Sequence, residues 1–199
     1  MIQIDTFEKI SIESKTLVLS DIDETILFYD GIDQEWWKKK IDYYLNVKKY
    51  DSSYDSSNAS SYASSNANIY ALDDWFEHIK QNLPNHTDKI GFGKFLENIK
   101  NTDSKLIFIT ARHPDFKQIT EDHFNHLGLK SSDYEVHYLG GSSKGQYIEK
   151  NIDTSDYKNI IFIDDLDKNL ISVKEAFANS NKIIKIKLKT YKFIMKDMN

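Results

Sequence analysis

The sequence of 199 residues contains no cysteine. This absence excludes disulfide bonds, catalytic cysteine thiols and zinc sites built on cysteine ligands. The chain also has no apolar run of the roughly 18 residues that a membrane-spanning helix needs. Its first residues lack the apolar core of a secretory signal peptide. We therefore expect a cytoplasmic protein with no membrane-spanning segment.

The charge balance is mildly acidic, with 26 lysines and arginines, 31 aspartates and glutamates, and a net charge of −5. Such a surface offers no general attraction to nucleic acids or to anionic membranes. Hydrophobic residues make up 40% of the chain and aromatic residues 13%, which is enough apolar surface for a folded core. The length suits one medium-sized domain that carries a small insert.

Short runs of β-forming residues alternate with segments of helical periodicity. Three runs are apolar at consecutive positions, as in strands buried on both faces of a parallel sheet. A fourth run, residues 182–187, alternates more and fits a strand nearer the edge. Apolar residues recur at helical spacing in residues 116–127 and 166–177. The pattern predicts a three-layer α/β domain with a mostly parallel sheet. The three apolar runs are residues 15–20, 105–110 and 159–165.

Residues 31–89 interrupt this alternation, and we expect a helical insert there. Two aromatic-rich segments within it, residues 34–45 and 69–79, are predicted to be helices. The tract between them, residues 51–68, consists mainly of serine, asparagine and alanine with scattered tyrosine. Such residues bury too little apolar surface to offset the entropy of ordering. The tract is therefore predicted to be a flexible surface loop without a catalytic role.

Polar residues lie at or just after the carboxyl ends of the three predicted buried strands. Since parallel strands bring their carboxyl ends to one edge of a sheet, these side chains are expected to meet there. A single aspartate after a strand more often caps a turn or a helix, so the inference depends on the whole set. Four carboxylates in one place repel one another, and a divalent cation with oxygen ligands would offset that charge. The side chains are Asp21 and Asp23, then Thr110, then Asp164 and Asp165.

Four segments resemble, in order, the four motifs of the haloacid dehalogenase (HAD) superfamily. They are Asp21-Ile-Asp-Glu-Thr25, Ile107-Phe-Ile-Thr110, Lys144 within Gly140-Gly-Ser-Ser-Lys-Gly145, and Ile161-Phe-Ile-Asp-Asp165. The resemblance spans most of the chain and extends to a group of uncharacterised bacterial HAD-type proteins. It implies a Rossmann-like core formed by residues 1–30 and 90–199. It also implies that residues 31–89 are a cap insert over the active site.

Within that resemblance, the aspartate at position 23 indicates a phosphatase rather than a dehalogenase or a cation pump. A phosphate ester's leaving oxygen benefits from a proton, and the attacking water must lose one. The resemblance implies that Asp21 is the nucleophile, forming an aspartyl-phosphate, and that Asp23 is the general acid and base. Thr110 and Lys144 would bind the phosphoryl group. Arg112 would bind a substrate phosphate or another anionic group, with an ion-pair role as the alternative.

The cofactor implied by the resemblance is Mg²⁺. Asp21, the backbone carbonyl of Asp23 and Asp165 would ligate the ion directly. Asp164 would lie behind Asp165 without contacting the ion directly. The roles of Asp164 and Asp165 could also be exchanged. Asn169 lies one turn further along the chain and would support the metal's water ligands.

The predicted function is Mg²⁺-dependent hydrolysis of a phosphomonoester, with a small phosphorylated metabolite as the substrate. A nucleotide or a sugar phosphate fits that description, and a polynucleotide end or a phosphoprotein is kept as an alternative. Two other functions stay open: phosphoryl transfer to an acceptor other than water, and a catalytically inactive HAD-fold binding protein. A signalling receiver domain also combines acids, a threonine and a lysine on a parallel sheet. Its paired acids follow the first strand, however, whereas here the Asp-Asp pair comes late.

Overall fold

The structure, a computed structural model, describes residues 1–51, 59–179 and 186–195. Its strands are β1 (Ile2–Ile4), β2 (Thr16–Ser20), β3 (Leu27–Phe28), β4 (Asn85–His86), β5 (Lys105–Thr110), β6 (Glu135–Tyr138), β7 (Asn159–Asp164) and β8 (Lys187–Phe193). Its α-helices are α1 (Gln34–Asp51), α2 (Ala59–Gln81), α3 (Lys89–Asn101), α4 (Lys117–His126), α5 (Lys144–Asn151) and α6 (Asp167–Asn179).

Six strands form the main sheet in the order β1-β8-β7-β2-β5-β6, and every neighbouring pair in it is parallel. All five residues of β2 are buried, as are all but the first residue of β5 and of β7. Because successive strand residues point to opposite faces, both faces of the central strands are covered. This confirms the predicted three-layer α/β fold with a mostly parallel sheet.

One apolar core lies between the sheet and the two helices α5 and α6. Those helices pack against each other, and α6 also packs against β7 and β8. Ile148 of α5 and Leu170 and Val173 of α6 are fully buried within this core. Burial of these side chains fixes where both helices begin relative to the strand ends. The sheet residues of the core are Leu17, Leu19, Ile107, Ile109, Ile160 and Phe162.

The chain divides into two compact units, residues 1–28 with 86–199 and residues 29–85. In the second unit α1 packs against α2, and the rings of Trp37 and Trp75 lie with their centroids 6.2 Å apart. The predicted helices at 34–45 and 69–79 are confirmed, and both extend further than expected. No helix in the described part of the chain is both long and apolar enough to cross a membrane.

The structure corrects the loop prediction for residues 51–68. Residues 59–68 form the first part of α2, whereas residues 52–58 lie outside the described ones. Ala67 and Ala71, one helical turn apart, are both buried, so the tract contributes to the same packed face as the aromatic segment after it. Alanine also has the highest helix propensity of all residues. The helix thus begins within a sequence that looked too polar to be ordered.

Only the end of the fourth predicted strand lies among the described residues. Most of the predicted segment, residues 182–185, lies outside the described residues. The observed strand β8 begins at Lys187, pairs with β7 and with the short strand β1, and is therefore second from the edge of the sheet.

Two glycines provide a matched test of how closely α5 and α6 pack. A Cβ at Gly145 would lie 2.1 Å from the backbone oxygen of Ser172 in α6, whereas a Cβ at Gly93 in α3 would meet nothing within 4 Å. We expect Gly145→Ala to lower the free energy of unfolding by about 1–3 kcal/mol, because the helices must separate. Gly93→Ala should raise it by about 0.5–1 kcal/mol, because alanine is the better helix former.

Urea unfolding followed by circular dichroism gives both free energies. Equal effects of the two substitutions would contradict the close approach of α5 to α6.

Candidate active site

Three carboxylates meet where β2 and β7 end. These strands are neighbours with Ser20 opposite Ile163, and the N–H of Asp21 donates to the carbonyl of Ile163 at 2.9 Å. Asp21 and Asp164 therefore leave the sheet side by side. One carboxylate oxygen from each of Asp21, Asp164 and Asp165 lies within 4.8 Å of the others. We call these three residues the acidic cluster.

Lys144 connects two members of the acidic cluster. It is the first residue of α5, and its Nζ lies 2.7 Å from Asp21 Oδ1 and 2.7 Å from Asp164 Oδ2. Its side chain is only 3% exposed. The buried position of α5 therefore determines where this amine lies. The structure thus places Lys144, which the motif resemblance assigns to phosphoryl binding, in direct contact with two of the strand-end acids.

Both carboxylate oxygens of Asp164 accept hydrogen bonds. Its Oδ1 accepts from the N–H of Leu166 and from Asn169 Nδ2, both at 2.9 Å. Its Oδ2 accepts from Lys144 Nζ at 2.7 Å and from Asn169 Nδ2 at 3.1 Å. Asn169, expected to support metal-bound water, thus has a direct contact with this carboxylate. Asp164 is the most firmly oriented carboxylate of the cluster.

Burial and crowding make the acidic cluster costly to ionise. Burial raises the pKa of Asp21 to about 7, with smaller contributions from Asp164 and Asp23 and with Lys144 opposing the shift. Burial, followed by the charges of Asp21 and Asp164, raises the pKa of Asp165 to about 8. Burial by itself would lower the pKa of Lys144, but the carboxylates of Asp21 and Asp164 outweigh it and raise that pKa. The lysine therefore stays charged within a cluster that is short of positive charge.

Asp23 forms a separate ion pair with Arg112. Its Oδ2 accepts from Arg112 Nε at 2.9 Å and its Oδ1 accepts from Arg112 Nη2 at 2.7 Å. The Arg112 side chain is 0% exposed, whereas that of Asp23 is 23% exposed. Arg112 was predicted to bind substrate, with an ion pair as the alternative, and the ion pair is what this geometry contains.

Thr110 ends β5 on the other side of β2. Its side chain is buried, and its Oγ1 accepts from the backbone N–H of Arg112 at 3.1 Å. The loop after β6 is tied to the same place, because the N–H groups of Gly140 and Gly141 donate to the carbonyls of Arg112 and Ala111 at 3.1 Å each. These bonds fix the segment that follows Thr110.

The turn after Asp21 is closed by backbone bonds. The carbonyl of Ile22 accepts from the N–H groups of Thr25, Ile26 and Leu27. Glu24 has a φ of 58°, a left-handed conformation that few non-glycine residues adopt. The buried Thr25 presents its carbonyl to Thr87 Oγ1 at 2.7 Å. The turn therefore holds Asp23 directly beyond the end of β2.

The donor set of the acidic cluster fits a hard divalent cation. It offers only carboxylate oxygens, which are the ligands that such ions prefer. Asp164 is already engaged by Lys144 and Asn169, so Asp21 and Asp165 are the residues best placed to bind an ion directly. When all four acids of the site are ionised, its two cations leave two negative charges uncompensated within that set, which matches one divalent ion. The four acids are Asp21, Asp23, Asp164 and Asp165, and the two cations are Lys144 and Arg112.

Sequence reasoning missed two features of this site. It gave no partner for Asp23, because Arg112 lies 89 positions away and no local pattern joins them. It also missed Thr120, whose Oγ1 accepts from Arg112 Nη1 at 2.9 Å and donates to the carbonyl of Phe116 at 2.7 Å. A threonine in a helix carries no sequence signal for such a contact.

A known family matches part of the chain. A family model described as a protein of unknown function (DUF2608) matches residues 136–196. This stretch contains Lys144, Asp164 and Asp165 but not Asp21 or Asp23. No curated protein matches the sequence.

Several solved structures resemble this chain. The HAD domain of effector protein Lem4 from Legionella pneumophila is 11% identical, with a TM-score of 0.51, over 94% of this chain and 90% of that one. The Legionella pneumophila effector Ceg4 is 12% identical, with a TM-score of 0.48, over 96% and 92%. A class C acid phosphatase from Bacillus anthracis is 16% identical, with a TM-score of 0.44, over 94% and 70%. At these identities the likeness bears on the fold alone, and the fold of this chain is similar to that of the Lem4 HAD domain.

The raised pKa values of Asp21 and Asp165 predict how the stability of the metal-free protein depends on pH. The folded state holds protons that the unfolded state has already lost, since both folded pKa values lie above the ordinary value of 3.8. Stability should therefore fall as the pH rises from the ordinary value of 3.8 towards about 8, the folded pKa of Asp165, and level off above it. Thermal unfolding in chelator at several pH values measures this fall. Asp165→Asn should flatten it, because asparagine cannot ionise.

Asp156→Asn, at an exposed position before β7, is the matched control and should leave the pH dependence unchanged. Adding Mg²⁺ should raise the melting temperature more at pH 8.5 than at pH 6. An unchanged slope in Asp165→Asn would contradict the assignment of the raised pKa to that carboxyl.

Proposed function

We propose that this protein is a Mg²⁺-dependent phosphatase that hydrolyses a phosphomonoester through an aspartyl-phosphate on Asp21. One observation carries the proposal: the amine of Lys144 bridges Asp21 and Asp164 beside Asp165, where two parallel strands end. This arrangement joins a buried carboxylate nucleophile to positive charge and to oxygen ligands for a cation. The motif resemblance described above supports the same chemistry.

In the first step, Asp21 attacks the phosphorus atom. A bond forms between a carboxylate oxygen of Asp21 and phosphorus while the bond from phosphorus to the ester oxygen breaks. In this step Asp23 starts in its protonated form and gives that proton to the departing oxygen, which leaves as an alcohol. Lys144 holds the attacking carboxylate at 2.7 Å and places a positive charge beside the transferred group.

In the second step, water attacks the aspartyl-phosphate. Asp23, now an anion, takes a proton from the water as the new oxygen–phosphorus bond forms. The bond between Asp21 and phosphorus breaks, which releases inorganic phosphate and restores the carboxylate. Thr110 closes β5 and would donate its hydroxyl hydrogen to a phosphoryl oxygen.

Asp21 and Asp165 would hold the cation directly, and Asp164 would orient Lys144 between the carboxylates. When bound, the ion would neutralise charge on the acidic cluster and on the phosphoryl group and would favour the ionised form of Asp21. This order agrees with the sequence-based expectation that Asp165 ligates the metal and Asp164 lies one step further away. The four donor contacts to Asp164 support it.

The substrate class we propose is a small phosphorylated metabolite. A second unit, residues 29–85, is inserted in the chain between Asp23 and Thr110, where a cap is expected in a HAD-type phosphatase. Parallel assays with a panel of nucleotides and sugar phosphates and with a phosphorylated oligonucleotide would distinguish this class from a polymer end.

The proposed mechanism predicts metal-dependent turnover and a covalent intermediate. The wild-type protein should hydrolyse p-nitrophenyl phosphate with Mg²⁺, lose this activity in EDTA and regain it when Mg²⁺ is added in excess. Asp21→Asn should lower kcat by at least about a thousandfold, because it removes the nucleophile. Acid quenching with a phosphorus-labelled substrate should trap label on the wild-type protein, and hydroxylamine should remove it because it is an acyl phosphate.

Asp156→Asn is again the control and should retain both turnover and labelling. Activity that survives both EDTA and Asp21→Asn would refute the mechanism. An inactive wild-type protein that still binds Mg²⁺ would instead favour a binding role for the fold.

A further inference from the structure

Arg112 stands out by its residue type and by its burial. The sequence has 26 lysine and arginine residues, and Arg112 is the only arginine among them. It is also the largest side chain that the described residues bury fully. A buried guanidinium is costly unless its donors are paired. An arginine at this position therefore suggests a contact that the ammonium group of a lysine could not make.

The guanidinium contacts both oxygens of one carboxylate. Its Nε and Nη2 donate to Asp23 at 2.9 Å and 2.7 Å, one to each oxygen. This parallel arrangement suits the planar arginine fork, and a lysine ammonium cannot reproduce it. The carboxylate of Asp23 therefore has little freedom to rotate.

A further hydrogen bond orients the guanidinium group itself. Its Nη1 donates to Thr120 Oγ1 at 2.9 Å, and that hydroxyl donates in turn to the carbonyl of Phe116 at 2.7 Å. Thr120 is buried in α4. A chain of hydrogen bonds thus runs from a helix backbone to the carboxylate proposed to carry the proton.

Among the three side chains that form this hydrogen-bond chain, only that of Asp23 is open to solvent. The Arg112 side chain is 0% exposed and that of Asp23 is 23% exposed. A carboxylate has about four lone-pair positions, and the guanidinium uses one on each oxygen. The remaining positions stay available for a proton exchanged with a leaving group or with water.

We propose that Arg112 is a positioning residue that fixes the carboxylate of Asp23 for proton transfer and does not itself contact substrate. The inference rests on the proposed phosphatase function. Misplacing a catalytic group by about 1 Å typically costs about a hundredfold in rate. The guanidinium therefore acts on turnover through Asp23 rather than on substrate affinity.

A double-mutant cycle tests this proposal. The variants are Arg112→Lys, Arg112→Met and Thr120→Val, each made in the wild-type protein and in Asp23→Asn. Steady-state kinetics with p-nitrophenyl phosphate and with an alkyl phosphate gives kcat and KM for each. The burst of nitrophenol release measures the first step in the slow variants. Thermal unfolding reports whether each variant is folded.

In the wild-type background, Arg112→Lys should lower kcat by about 10- to 100-fold with KM changed by less than about threefold. The fall should be larger for the alkyl phosphate, because its leaving oxygen depends more on a proton. Thr120→Val keeps the guanidinium and should give a smaller fall. In Asp23→Asn, the same substitutions should change kcat by less than about threefold, because the group they act through is gone.

Arg112→Lys separates fork geometry from charge. It keeps the positive charge beside Asp23, so it should unfold at a higher temperature than Arg112→Met while recovering little of the lost kcat. Full recovery of kcat in Arg112→Lys would overturn the proposal. Losses of equal size in the wild-type and Asp23→Asn backgrounds, or a rise in KM as the main effect, would also overturn it and indicate direct substrate binding by Arg112.

These outcomes are distinct from failure of the proposed function. A folded wild-type protein with no phosphatase activity on any substrate would overturn the function and this inference together. An active wild-type protein with additive effects of Arg112 and Asp23 would overturn this inference alone.

Discussion

The amine of Lys144 between the carboxylates of Asp21 and Asp164 is the interaction on which the site depends. All three side chains are buried, and moving such charges out of water costs several kcal/mol for each ion unless partners compensate. Compensation requires 2.7 Å contacts made at once from the ends of two strands and the start of a helix. The parallel register of β2 and β7 and the burial of α5 against α6 supply that geometry. These buried charges can therefore lie together only because the fold brings the two strand ends and the helix start to one place.

The site divides its charges into two groups with different environments. In the acidic cluster, burial raises the pKa values of Asp21 and Asp165 to about 7 and about 8, so the cluster gains from any added cation. The pair of Asp23 with Arg112 is balanced within itself, and only its acid reaches solvent. In the proposed mechanism, the nucleophile would therefore depend on an added cation, whereas the acid–base group has its own counterion.

Sequence reasoning succeeded where a local pattern reflects a buried element. Apolar runs that end in acid marked β2 and β7, so Asp21, Asp164 and Asp165 could be placed at one edge of the sheet before any coordinates were known. Short strands such as β1 and β6 contain no run of consecutive apolar residues that ends in acid and were not predicted. Residues 59–68 were assigned to a loop because of their polar, low-complexity composition, although they form the first part of α2. The pairing of Asp23 with Arg112 could not be predicted, because only the tertiary fold brings these two residues together.

The two cations of the site also show why lysine and arginine are used differently. Asp21 and Asp164 are two residues on separate strands, and a compact ammonium with three rotatable donors can reach one oxygen of each. The two oxygens that Arg112 contacts belong to one carboxylate, and a rigid planar fork matches their spacing. Lysine at position 112 would leave one of those oxygens without its partner, and arginine at position 144 would bring a planar group into a space shaped around a single nitrogen. In a chain that uses lysine for every other cationic side chain, the single arginine thus occurs where the orientation of one carboxylate has to be fixed.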